Sequence, residues 1–173
     1  MNDKETRSGL RGVPVITADE GINLGTADSI YLDGETKRLS AIGVKGRRGG
    51  ETRYVNADDI TLIGNDVFMV ASENAAKPMQ DGSVLGKRLK TMRGMTLITD
   101  GGRRLGKLVD FDLDRTGLLR EVHLSENRTL DIVPEEVKLG DDAVIVPAAY
   151  EQKIVVSPER EGLFARVRHW TQR

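Results

Sequence analysis

Three aspartates at alternate positions, Asp110, Asp112 and Asp114, invite a calcium reading. On a β-strand, side chains two apart share a face, so one edge would carry all three carboxylates. A calcium loop of the helix-loop-helix type needs Gly at its sixth position and Glu at its twelfth. Counted from Asp110, those positions are Arg115 and Glu121. The related strand upstream offers only Asp28 and Asp33. The triplet therefore reads as a solvated strand face, and no metal ligand is assigned.

Other candidate chemistry is thinner. The pairs Asp58-Asp59 and Glu135-Glu136 could serve acid–base work, but no nucleophile or His accompanies both. They read as acids at the start of a short helical turn. Gly101-Gly102 and Gly46-x-x-Gly49-Gly50 lack the Gly-Lys-Ser/Thr that completes a phosphate loop and read as hairpin turns. Cysteine is absent, which excludes disulfides, thiolate catalysis and Cys-based metal sites. The two histidines, His123 and His169, lie in unlike contexts: His123 reads as a strand residue without partner acids, His169 as part of a solvated tail. No catalytic residue, metal or cofactor is expected, and the chain is read as no enzyme.

Charge points to binding rather than chemistry. The net charge is −1, so nothing pulls the whole chain toward nucleic acid or anionic lipid. Between Lys77 and Lys107, however, eight basic residues face two acidic ones. Arg103 and Arg104 sit at a turn within this stretch and are candidate partner-binding residues, toward an acidic protein or RNA phosphates. Interleaved aromatics for stacking on bases are missing there. A second candidate is the tail. Ser157-Pro158-Glu159 reads as a helix start, and Leu163, Phe164, Val167 and Trp170 follow at helical spacing, with Arg160, Arg166, Arg168 and Arg173 around them. This amphipathic helix has three candidate docking places: its own domain, a partner or second copy of the chain, or a membrane surface. No run approaches the ~20 apolar residues of a membrane span, and no apolar signal core opens the chain, so a cytoplasmic location is expected.

The elements that must position these residues come as a repeat. Arg11 to Thr17 aligns with Arg93 to Thr99, Leu24-Gly25 with Leu105-Gly106, and Ile30 to Asp33 with Phe111 to Asp114. Asp58 to Ile60 aligns with Glu135 to Val137, and Gly64 to Val70 with Gly140 to Val146. Each copy reads as short strands: 13–17 and 95–99, 24–33 and 105–114, 39–44 and 119–124, 53–55 and 129–133, then 67–71 and 143–146. Along the second of these in the later copy, Val109, Phe111 and Leu113 are expected on one face and the three aspartates on the other. Aromatics are 4% of the chain, so the core must be aliphatic. Five or six short strands in about 60 residues imply a small closed barrel.

The sequence Gly12-Val13-Pro14-Val15-Ile16-Thr17, then Gly21-Ile22-Asn23-Leu24-Gly25-Thr26, then an alternating strand ending in Leu32-Asp33, resembles the PRC-barrel family. Gly102-Arg103-Arg104-Leu105-Gly106-Lys107-Leu108-Val109-Asp110 repeats the resemblance. The family includes the cytoplasmic domain of the photosynthetic reaction-centre H subunit and the C-terminal domain of a ribosome maturation factor. This chain departs from the first in lacking a membrane helix and from the second in lacking a different preceding barrel. The expected fold is all-β: two tandem small PRC-type β-barrels plus a C-terminal amphipathic helix. The expected organisation is one barrel at 9–72, a linker with an extra strand at 73–91, a second barrel at 92–150, and a strand and helical tail at 151–173. The resemblance implies a non-enzymatic protein-interaction or adaptor module with a stress or assembly role. The alternative is an RNA- or ribosome-associated factor using the basic segment 77–107.

Overall fold

The computed structural model describes residues 12–64, 66–80 and 85–156. The aliphatic runs form strands wherever Gly, Asp or Asn punctuates them. The first unit holds β1 (Pro14–Thr17), β2 (Asn23–Leu32), β3 (Leu39–Lys45), β4 (Arg53–Asn56), β5 (Ile60–Ile63) and β6 (Phe68–Val70). A connection holds β7 (Lys87–Arg88) and the one-turn helix α1 (Leu89–Met92). The second unit holds β8 (Thr96–Thr99), β9 (Arg104–Leu113), β10 (Leu119–Leu124), β11 (Arg128–Asp131), β12 (Lys138–Leu139), β13 (Ala143–Val146) and β14 (Val155–Val156).

The first sheet runs β4-β3-β2-β1-β6-β5 and the second, from its far end, β11-β10-β9-β8-β13-β12, with β14 added beside β11. Strand order is thus the same in both copies. Each contains one parallel pair, β1 with β6 and β8 with β13, among antiparallel ones. The expected closure differs in detail. Among the described residues β4 does not pair with β5, nor β11 with β12; the chain crosses each gap in a 3-10 turn, Ala57–Asp59 or Pro134–Glu136. The acid pairs lie in those turns, as their helix-start reading requires. Strands β5 and β12 were not expected.

The stretch 73–91 is more than a linker. After a 3-10 turn at Glu73–Ala75, Ala75 and Ala76 are buried and Lys77 bridges to Tyr54 of β4. In the second unit the 3-10 turn Ala148–Lys153 is likewise followed by β14 pairing with β11. The repeat therefore extends past its last recognised strand. The helix expected after Ser157, with Leu163, Phe164, Val167 and Trp170, lies outside the described residues. Among those described, no helix is long and apolar enough to cross a membrane.

Buried residues of both units, from Val15 and Phe68 to Phe111 and Tyr150, form one continuous aliphatic-rich cluster rather than two separate cores. The units meet where the β2–β3 and β9–β10 hairpin tips exchange backbone hydrogen bonds. Leu39 N–H donates to Gly117 O at 2.7 Å and Leu119 N–H to Lys37 O at 2.9 Å. Gly117 has φ of +81°, and a Cβ there would lie 2.8 Å from the Leu39 Cβ. Both conformation and space therefore demand glycine. Gly25 is similar: with φ of +131°, its missing Cβ lets the Lys45 carbonyl approach. This explains the Leu-Gly step of the first copy, beside a bulge between Val15 and Ile16.

Asp114 organises the second tip. Its Oδ1 accepts bonds from the Thr116 N–H and hydroxyl and the Leu118 N–H, and its Oδ2 accepts one from Arg120 Nε. Burial opposes its charged form, but these bonds outweigh burial and hold its pKa below the usual carboxylate value. Asp33 caps the first tip in the same way, accepting from the Glu35 and Thr36 N–H groups.

Three substitutions have expected outcomes. Gly117→Ala should lose about 2–4 kcal/mol in urea denaturation, from left-handed strain and overpacking together. Gly102→Ala, at φ of +84° in open space, should lose only the strain, about 1–2 kcal/mol. Asp114→Ala should cost about 2–3 kcal/mol at pH 7. Because the folded pKa is depressed, the carboxylate's contribution is present above the unfolded value of about 3.9 and is lost as pH falls through the lower folded value. Acid titration of stability should therefore show the gap between variant and parent narrowing as pH falls below about 3.9.

Candidate functional site

The outer face of β9, β10 and β11 carries an unusual polar group. In β10, Leu119, Val122 and Leu124 point into the core, so Glu121 and His123 point outward. Register then sets their neighbours. Glu121 faces Asp112 of β9 and Asp131 of β11; His123 faces Asp110 and Thr129. A register shift between His123 and Leu124 makes Val109 a bulge residue. Leu108 and Phe111 are both buried while Val109 is 51% exposed, which overturns the expectation that Val109 faces with Phe111 and Leu113.

His123 Nε2–H donates to Asp112 Oδ2 at 2.7 Å, and the same nitrogen lies 3.3 Å from Glu121 Oε1. Asp112 is fully buried, and its Oδ1 has no hydrogen-bond partner among the described residues. Burial, and then a hydrogen bond with Asp131, push the Glu121 carboxyl above its ordinary pKa, with His123 pulling the other way. One donor atom from each of Asp112, Glu121 and His123 lies within 4.8 Å of the other two.

This corrects two expectations. His123 does have partner acids. Nor is the aspartate triplet a solvated face: Asp112 is fully buried and Asp114 is 8% exposed, while Asp110 accepts from Arg93 at 3.3 Å. A regular hairpin turning at Asp114 to Leu118 would put Glu121 opposite Phe111; a register shift between Leu119 and Glu121 instead sets Glu121 opposite Asp112 and His123 opposite Asp110, and it brings the triplet and the histidine into one group. Equivalent positions of the first unit show no such group. There Tyr31 pairs with Ala41, Ala41 with Asn56, and Gly43 with Tyr54. Tyr31 and Tyr54 instead pack edge to face, 6.2 Å apart.

The remaining candidates are scattered. Arg103 pairs with Glu151 at 2.8 Å, and Arg104 is an exposed residue opening β9. Glu136 accepts the Tyr150 hydroxyl hydrogen bond, and that hydroxyl accepts from Val133 N–H at 3.0 Å, so this repeated acid ties the 3-10 turn to the core. The glycine loops are turns, with Gly102 N–H on Thr99 O at 2.9 Å and Gly49 N–H on Gly46 O at 3.3 Å.

Removing the imidazole should strand the buried Asp112 carboxylate. His123→Ala is expected to cost about 3 kcal/mol at pH 7 by urea denaturation. Adding Asp112→Leu should recover part of that loss, since both polar groups then leave together. Strictly additive effects in this double-mutant cycle would show that the pair is not coupled.

No curated protein matches the chain. The PRC-barrel domain family matches twice, over residues 2–76 and 86–153. Two sheets of one strand order, the repeated Leu-Gly bulge region and these two matches together place the chain in the PRC-barrel domain family, as a tandem pair of its domains.

Proposed function

We propose that this chain is a non-enzymatic, cytoplasmic protein-interaction module that docks a partner along the free edge of its second sheet. The observation that carries this reading is β14. It is the last strand of its sheet, and no strand pairs with its outer side among the described residues. Val155 and Val156 are 59% and 68% exposed there. An open edge of β-branched residues is a template for an added strand, because its unpaired N–H and C=O groups supply the bonds and the valines the apolar contact. The family supports the reading at the level of an interaction or assembly module. A stress or assembly role is the finer form of the proposal.

An RNA-associated role is less well supported. Three cations of the basic segment already have acidic partners: Lys87 with Asp141 at 2.8 Å, Arg93 with Asp110 at 3.3 Å and Arg103 with Glu151 at 2.8 Å. The partner chemistry that suits β14 is an extended, apolar protein segment.

The test is capture from native lysate, with and without nuclease, by the full chain and by a Val155→Asp/Val156→Asp variant. Two exposed substitutions should change folding stability by less than about 1 kcal/mol. The expected result is a protein retained after nuclease and lost with the variant. Capture that survives the variant refutes the edge; capture that disappears with nuclease favours RNA.

A further inference from the structure

We propose that Asp112, Glu121 and His123 form a binding site for a divalent transition-metal ion, of which Zn²⁺ is the representative. The site lies two strands in from the docking edge, since His123 faces Thr129 and Thr129 faces Val155, but its test does not depend on that reading. Three observations carry it. The donor atoms lie on adjacent strands, all within 4.8 Å of one another. Rigid paired strands position such donors more firmly than a loop would. In addition, the fully buried Asp112 leaves Oδ1 without a hydrogen-bond partner. A buried carboxylate oxygen with no bond is costly, and a cation held across both Asp112 oxygens would answer it. Finally, the first unit holds Tyr31, Ala41 and Gly43 at the corresponding register positions and folds in the same strand order. The fold therefore does not require the polar group.

The donor set selects the metal class. Two carboxylates and one imidazole suit zinc and neighbouring first-row ions, whereas calcium takes six to eight oxygen ligands. Two carboxylates also balance the charge of a divalent ion. Around tetrahedral Zn²⁺, with ligand bonds of about 2.0–2.1 Å, donor atoms sit roughly 3.4 Å apart. Nε2 is now 2.7 Å from Asp112 Oδ2 and 3.3 Å from Glu121 Oε1, so binding asks these two distances to lengthen by about 0.7 and 0.1 Å to reach roughly 3.4 Å. His123 must give up its Nε2 proton to solvent, exchanging the hydrogen bond to Asp112 for a lone pair on the metal. Three protein donors leave the fourth position to water.

The experiment is calorimetric titration of the chelator-treated full chain with Zn²⁺ at pH 7.5, alongside Ca²⁺ and thermal melts. One Zn²⁺ per chain is expected. The melting temperature should rise by about 5–10 °C at a zinc concentration 100-fold above Kd. Glu121→Gln keeps the shape of the side chain and should weaken binding at least tenfold, while His169→Ala should not. In the parent protein, the imidazole NMR signals of His123 should shift on zinc addition. Equal affinity in parent and Glu121→Gln, calcium bound in preference to zinc, or His169 signals moving while those of His123 do not, would each overturn the site.

Discussion

The structure depends on the two hydrogen bonds exchanged between hairpin tips, Leu39 N–H to Gly117 O and Leu119 N–H to Lys37 O. They sit about a single antiparallel bridge between Arg38 and Leu118. Each tip is a loop that would otherwise turn its backbone groups to water. Paired, the tips bring Leu39 and Leu119 into one apolar cluster, so the two units share a core. Small domains bury a smaller share of their surface than larger ones, and fusion moves each half toward the larger case. The two aspartates, Asp33 and Asp114, shape the tips, and the positive φ of Lys37 and Gly117 presents the carbonyls. Gly117 must be glycine because the Leu39 Cβ of the other unit lies 2.8 Å from where its own Cβ would stand.

Bulges are the second organising device. A strand with strict period two would set Leu105, Val109, Phe111 and Leu113 of β9 on one face and Leu108 on the other. The register shift around Val109 resets that parity, so Leu108 and Phe111 both reach the core. A second shift, between Leu119 and Glu121, sets Asp112 and Asp110 opposite Glu121 and His123. The carboxylate–imidazole group is thus a consequence of register. It needs the core to fix which way β10 faces, and the bulge to decide which residues of β9 look back at it.

Much of this was legible in the residues. The repeat, the strand runs, the turns at Gly46 to Gly50 and Gly101-Gly102, and the family could all be read from aliphatic runs and their glycine and aspartate punctuation. What escaped was whatever depends on pairing across the chain. Strand β5 follows its 3-10 turn without any break residue, and β12 is only Lys138-Leu139. The ion pair of Arg103 with Glu151 and that of Lys87 with Asp141 join residues from different elements, and sequence spacing carries no trace of them. His123 was misread for the same reason. Its partners are nearby in sequence, but only the hairpin register makes them neighbours.

Tandem duplication explains how such a group can exist without harming the fold. Both units need the same kind of inward residue, and those positions remain apolar: Ile30 and Phe111, Ile42 and Val122, Val55 and Leu130 are all buried. Outward positions are under a weaker demand, and there the copies part. The first unit keeps Tyr31 and Tyr54 in contact, with β7 pairing at Tyr31 and Leu32 and Met92 buried behind it. The second places acids and an imidazole at the matching face. Burying Asp112 costs free energy that a surface aspartate does not, and the shared core is what lets the second unit carry that cost. The two copies thus divide the work: the first unit's outer face packs the connecting segment, and the second's is left to polar chemistry.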